Sequence, residues 1–96
     1  MPAYVHINLR VLDESRQMAL TSRFQKALAL AGGRMLHFGQ VAHVLEGDLS
    51  PLPMAGILEF PSVEQALAFY ESPEYAPVKA ERLEVQEARI FIVDAG

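Results

Sequence analysis

The chain contains no cysteine. Disulfides, thiol nucleophiles and thiolate metal sites are therefore excluded. Basic residues are also scarce: 8 Lys and Arg stand against 12 Asp and Glu, a net charge of −4. A phosphate backbone rewards clustered Lys and Arg, so this balance argues against a nucleic-acid partner. No apolar run approaches the ~18 residues that would span a bilayer. The first residues carry no basic-then-apolar leader either. These absences leave a soluble cytoplasmic protein, with neither membrane nor nucleic acid as partner, as the expectation.

Apolar residues are what the chain has in excess, at 51% of its 96 positions. That length holds a single domain with one core. A domain so small buries only roughly 60–65% of the surface its unfolded chain exposes. Much apolar surface must then face outward, and contiguous patches of it mark contacts, which favours a homodimer.

Tyr4-Val5-His6-Ile7-Asn8-Leu9-Arg10-Val11 alternates apolar and polar residues, the period of a half-buried strand. Asp13 is placed to cap a helix over residues 14–31, whose apolar positions are Leu20, Phe24, Ala27, Leu28 and Ala31. Gly32-Gly33 ends it, one of the two taking the left-handed conformation. Residues 34–46 read as a long second strand with a bulge at Gly39, and Gly47-Asp48-Leu49-Ser50-Pro51-Leu52-Pro53 as a turn. Residues 54–60 form a short apolar third strand. Ser62-Val63-Glu64-Gln65 is a capping box that starts a helix striped by Val63, Ala66, Leu67 and Tyr70. Ser72-Pro73 restarts a second helical piece running to about Val85, Ser72 as cap and Pro73 in the first position. Residues 89–93 make the last strand.

The order β-α-β-β-α-β is that of a ferredoxin-like α+β fold. Right-handed crossovers give an antiparallel four-stranded sheet in the order 4-1-3-2, with both helices on one face. Val5, Ile7, Leu9 and Val11 then meet the helices. Tyr4, His6, Asn8 and Arg10 lie on the face the helices leave uncovered.

Gly32-Gly33-Arg34, Leu45-Glu46-Gly47-Asp48, Glu59-Phe60-Pro61-Ser62, Tyr70 and Ser72-Pro73-Glu74-Tyr75 followed by Arg82 resemble the domain-of-unknown-function 1330 family over nearly the whole chain. The resemblance implies a dimeric α+β barrel, in which two sheets pack through their helix-free faces around a cleft. It implies no particular activity. Other proteins of this architecture include cofactor-free monooxygenases, lactone isomerases and haem-handling enzymes, a kinship of fold alone. Members usually carry an arginine entering the third strand. Ser50-Pro51-Leu52-Pro53-Met54-Ala55 has none, and Arg10, near the same end of the sheet, is the candidate replacement.

In such a dimer the polar side of the first strand lines the interior, where Tyr, His, Asn and Arg offer fixed hydrogen-bonding geometry. His6 and Arg10 stand ~13 Å apart along the strand, so one small ligand touches only adjacent members of the row. Glu59 should face the same side as His6, and a carboxylate there orients the imidazole and favours its protonated form. A structural hydrogen bond would use the same pair. His37 and His43 are ~20 Å apart in an extended strand, too far for one metal ion, so no metal site is expected. Tyr70 and Tyr75 close a pocket rim or pack as core aromatics, and Arg82 pairs with Glu74 or Glu81 or lines the cleft. The leading reading is a small-molecule enzyme of the barrel cleft, with His6 and Glu59 as acid and base and no cofactor. Asn8, Arg10, Arg34, Tyr70, Tyr75 and Arg82 would contact a small organic ligand. The alternative is a ligand-binding or structural homodimer without catalysis.

Overall fold

A computed structural model describes residues 2–47 and 52–95. The elements are β1 (Ala3–Val11), α1 (Glu14–Leu30), β2 (Arg34–Gln40), β3 (Met54–Phe60), α2 (Val63–Tyr70), α3 (Ala76–Val85) and β4 (Gln86–Asp94). The strands form one antiparallel sheet in the order β2-β3-β1-β4, the expected ferredoxin-like topology. Its principal extents are 35 × 32 × 17 Å, the thickness of one sheet and one helix layer. No helix among the described residues is long and apolar enough to cross a membrane.

The pleat of β1 separates two environments. Ala3, Val5, Ile7 and Leu9 are buried beneath the helices, where they join Leu20 and Leu28 of α1, Ala66 and Phe69 of α2, and Val78 and Val85 of α3. Tyr4, His6 and Asn8 are half-buried and Arg10 is exposed, all on the helix-free face.

Helix ends follow from local chemistry. The Asp13 carboxylate accepts from the Ser15 amide at 3.1 Å and from its hydroxyl at 2.6 Å. Gly32 takes φ 81°, the left-handed turn past α1. A Cβ on Gly33 would stand 2.6 Å from Leu28 Cδ1 and 2.7 Å from the Phe60 ring, so the chain passes there only without a side chain. Ser62 Oγ accepts from the Gln65 amide at 3.1 Å, but the Gln65 side chain meets the Ser62 hydroxyl, not its backbone. The capping box is half made.

Three boundaries and one irregularity differ from expectation. β2 stops at Gln40 because its partner runs out: Gln40 pairs with Met54, the first residue of β3. Its irregularity lies between Met35 and His37, not at Gly39. Asp48, Leu49, Ser50 and Pro51 of the expected turn lie outside the described residues. Ser72 belongs to a turn ahead of α3, its carbonyl accepting from both Tyr75 and Ala76 amides, and Pro77 takes the tolerated place in the first helical turn. β4 starts at Gln86 because β1 offers a ladder partner as far as Val11.

Candidate functional site

The polar residues of the helix-free face meet a salt-bridge partner, backbone carbonyls or a ring. Glu59 lies opposite Tyr4, while the position opposite His6 is Ile57. The expected His6–Glu59 pair is therefore displaced by two residues along the strand. The Glu59 carboxylate instead accepts from Arg34 Nε at 2.6 Å. That guanidinium holds the carboxyl below its ordinary value, helped by the Tyr4 phenol and only partly opposed by desolvation. His6 stacks on its other cross-strand neighbour, Phe91, with ring centres 5.0 Å apart and planes 6° from parallel. Asn8 Nδ2 donates to the carbonyls of Leu52 at 2.9 Å and Met54 at 2.8 Å, and so ties down the entry to β3. Arg10 stands opposite Glu87 at the far end of the strand. Among the described residues, no three His, Asp or Glu side chains gather in a metal-holding group.

Within one chain, space also opens on the other side of the sheet. Two cavities of about 360 and 220 Å³ open between sheet and helices and share Ile7, Phe24 and Ile90 as walls. The larger is bounded by Phe69, Tyr70 and Tyr75, the smaller by Leu20, Phe38, Arg82 and Gln86. Tyr70 stands at the rim with its ring under the Lys79 ammonium at 4.3 Å. Tyr75 is a core residue, 1% exposed, stacked on Phe69 and edge-on to Phe24.

Arg82 is the unusual member. It is 6% exposed, yet among the described residues no carboxylate pairs with it. Of the two glutamates expected to pair with it, Glu81 takes Arg23 at 2.8 Å instead. Arg82 Nε donates to the Tyr75 hydroxyl at 3.1 Å, and among the described residues its terminal amino groups have no hydrogen bond. A guanidinium carries five N–H donors, and desolvating it costs several kcal/mol unless an anion or enough acceptors replace water. Burial pushes the Tyr75 phenol above its ordinary value, with the guanidinium pulling the other way. The phenol therefore stays protonated, and since its oxygen accepts from Arg82, its own proton is free for another acceptor.

Gln86 completes the polar end. Its N–H donates to the Arg82 carbonyl, the last helical bond of α3. Its side-chain Nε2 donates to Gln17 Oε1 at 3.0 Å, and Gln17 Nε2 donates on to Thr21 Oγ1 at 3.2 Å. Gln86 Oε1 is buried with no partner. Composition and motifs single out none of Gln86, Gln17 and Thr21. One signal was present: Val78, Arg82 and Val85 follow helical spacing, which sets an arginine within the apolar stripe of α3.

An antiparallel sheet with helices on one face and a cavity between the layers defines a ferredoxin-like α+β protein with an interior sized for a small molecule. The chain belongs to the family described as Domain of unknown function (DUF1330), whose sequence model matches residues 2–95. No curated protein matches it. A crystal structure of a protein of unknown function from Rhodopseudomonas palustris is similar at TM-score 0.75 and 17% identity, over 99% of this chain and 82% of that one. A protein from Jannaschia sp., described as dimeric, ferredoxin-like and of unknown function, is similar at TM-score 0.73 and 12% identity, over 99% and 100%. SnoaB from Streptomyces nogalater, described as a cofactor-independent oxygenase, is similar at TM-score 0.70 and 7% identity, over 99% and 93%. At these identities the likeness is one of fold.

Proposed function

We propose that the chain is a homodimeric enzyme that holds a small, largely apolar organic molecule between sheet and helices and acts without a bound cofactor. The observation that carries this is Arg82: an arginine 6% exposed, whose terminal amino groups have no hydrogen bond among the described residues, lining a cavity walled mostly by apolar side chains. A substrate oxygen that gains negative charge would be held by the Arg82 terminal amino groups, with the Tyr75 hydroxyl fixing the guanidinium through Nε. Such preorganised donors in a dry site stabilise a developing oxyanion. The shared fold with SnoaB, described as a cofactor-independent oxygenase, supports chemistry carried by side chains and substrate alone.

The dimer would form through the helix-free face, which exposes Phe91 at 55% and Val93 at 39%. Four strands at ~4.8 Å spacing and up to ~30 Å long make a face of roughly 500 Å² per protomer. That approaches the ~1,000 Å² total a specific interface needs. The Jannaschia protein of the same fold, described as dimeric, supports a dimer. His6, Asn8, Arg10, Arg34 and Glu59 then belong to the interface, not to the reacting centre.

A thermal-shift screen of small organic acids and aromatic metabolites tests the reading. Ligands that stabilise the native protein but not a folded Arg82→Met variant support it. Equal stabilisation of both would remove Arg82 from the site. Turnover of a stabilising ligand, followed by mass spectrometry, separates an enzyme from a binding module.

A further inference from the structure

We propose that Phe38 determines the specificity of the smaller cavity: its ring walls the mouth and holds the site to ligands of one ring. This rests on the cavity being the binding site, as argued above, and goes beyond it by naming the residue that limits size. Among the described residues that line this cavity, the exposed ones are Gln25 and Phe38, the latter at 40%. The mouth therefore lies between α1 and the edge strand β2, with Leu20 and Arg82 buried behind it.

Phe38 reaches this place through a break in the strand ladder. Met35 and Phe38 both line the cavity, yet residues three apart on a regular strand face opposite sides. Met35 pairs with Leu58 and His37 with Ile57, which leaves Leu36 as an extra residue on β2. In continuous register His37 would stand opposite Gly56, and Phe38 opposite Ala55 on the helix-free face. The extra residue sets Phe38 opposite Gly56 instead, and so turns its ring inward.

Gly56 is the second, independent feature. A Cβ there would stand 2.6 Å from Phe38 Cδ2 and 2.9 Å from the His37 carbonyl oxygen. Positive φ is confined, among the described glycines, to Gly32 and Gly47, so what the fold needs from Gly56 is room. A bulge and a strand glycine each weaken a sheet, and here both serve the placement of one ring. The space behind that ring is small. An apolar cavity of ~150 Å³ holds benzene. About 220 Å³ then takes one ring with a carboxylate reaching Arg82, and leaves no place for a second ring.

Calorimetric titration of benzoate and 2-naphthoate into the native protein, Phe38→Ala and Phe38→Trp tests the assignment. The native protein should bind 2-naphthoate no more tightly than benzoate. In Phe38→Ala, 2-naphthoate should gain about tenfold or more, the low end of what one misfitting group costs in an apolar pocket, while benzoate gains nothing. In Phe38→Trp, benzoate should weaken about tenfold, because the larger ring closes the mouth. The two variants act in opposite directions, so either suffices if the other does not fold. A native protein that prefers 2-naphthoate, or the same affinities in all three proteins, would overturn the role of Phe38 and leave the cavity as a site. Both acids weakened in both variants would make Phe38 a structural residue and overturn it too. No binding of either acid to any of the three, together with a blank ligand screen, would overturn the cavity reading as well.

Discussion

The two faces of this sheet treat polar residues in opposite ways. On the helix-free face they are abundant and open to water or paired: Asn8 holds two carbonyls, Glu59 holds Arg34, and His6 lies flat on Phe91. Beneath the helices they are few and incomplete, with Arg82 using one donor and Gln86 Oε1 none. A row of polar side chains is thus a poorer pointer to function than one polar group left wanting in an apolar setting. Water can complete the first kind. Inside a cavity, completion falls to a ligand or to trapped water.

The largest contrast pits one phenylalanine against another. Phe60 is 0% exposed and touches Phe69 across the core, whereas Phe91 is 55% exposed on the free face. Phe60→Ala should cost about 3–5 kcal/mol in urea unfolding. Phe91→Glu should leave the fold of each chain within about 1 kcal/mol, yet shift the protein from dimer to monomer by light scattering. A native protein that runs as a monomer at micromolar concentration would remove the dimer. A mild Phe60→Ala would mean that the core is looser than its packing implies.

The next effect lies at Tyr75. Tyr75→Phe takes away the acceptor that, among the described residues, is bonded to the Arg82 side chain, and should cost about 1–3 kcal/mol at neutral pH, read from the urea midpoint. The pH dependence has a definite sign. With the phenol held above its ordinary 10.0 by burial, the folded state keeps a proton that the unfolded chain gives up first. That stability is fully present below pH 10.0 and is lost as pH rises through the folded value. The variant should lack this share of the alkaline slope. An unchanged slope would mean that the phenol is hydrated after all.

Much of the architecture could be read from residue order. The alternation in β1, the Asp13 and Ser62 caps and the Gly32 turn are local signals, and handedness rules then leave one strand order. The site was harder to read for two reasons. Strand pairing was inferable, but its register was not: a displacement of two residues gave Glu59 to Tyr4 in place of His6 without turning any side chain to the other face. Cavities, moreover, are three-dimensional remainders. Gln17 and Thr21 meet by their spacing of four on α1, but nothing in the sequence says that Gln86 joins them, since α1 and the start of β4 come together only on folding. The Arg82 side chain in an apolar stripe was visible, but its lack of a carboxylate depended on Glu81 choosing Arg23.

A cap gives a smaller and purely local effect. Ser62→Ala removes the oxygen that accepts from the Gln65 amide and should cost about 1 kcal/mol, with no change in the ligand screen. If the variant also lost ligand stabilisation, α2 would have to be positioning the cavity wall that Ala66 and Phe69 form.

The smallest effect decides which neighbour Glu59 belongs to. Its carboxyl is held below 4.5 chiefly by the hydrogen bond from Arg34, so the folded state favours the ionised form. A lowered carboxyl contributes stability above its unfolded value and loses it as pH falls through the folded one, so the pair should matter at neutral pH and fade in acid. Because the group is exposed, the change in stability on Arg34→Gln should be slight, and the informative readout is the Glu59 carboxyl titration by NMR. In Arg34→Gln that titration should move up towards 4.5. In His6→Ala it should stay where it is, since His6 faces Ile57 and Phe91. If His6→Ala moves it and Arg34→Gln does not, the free face holds an imidazole–carboxylate pair, and the search for acid and base returns to that side of the sheet.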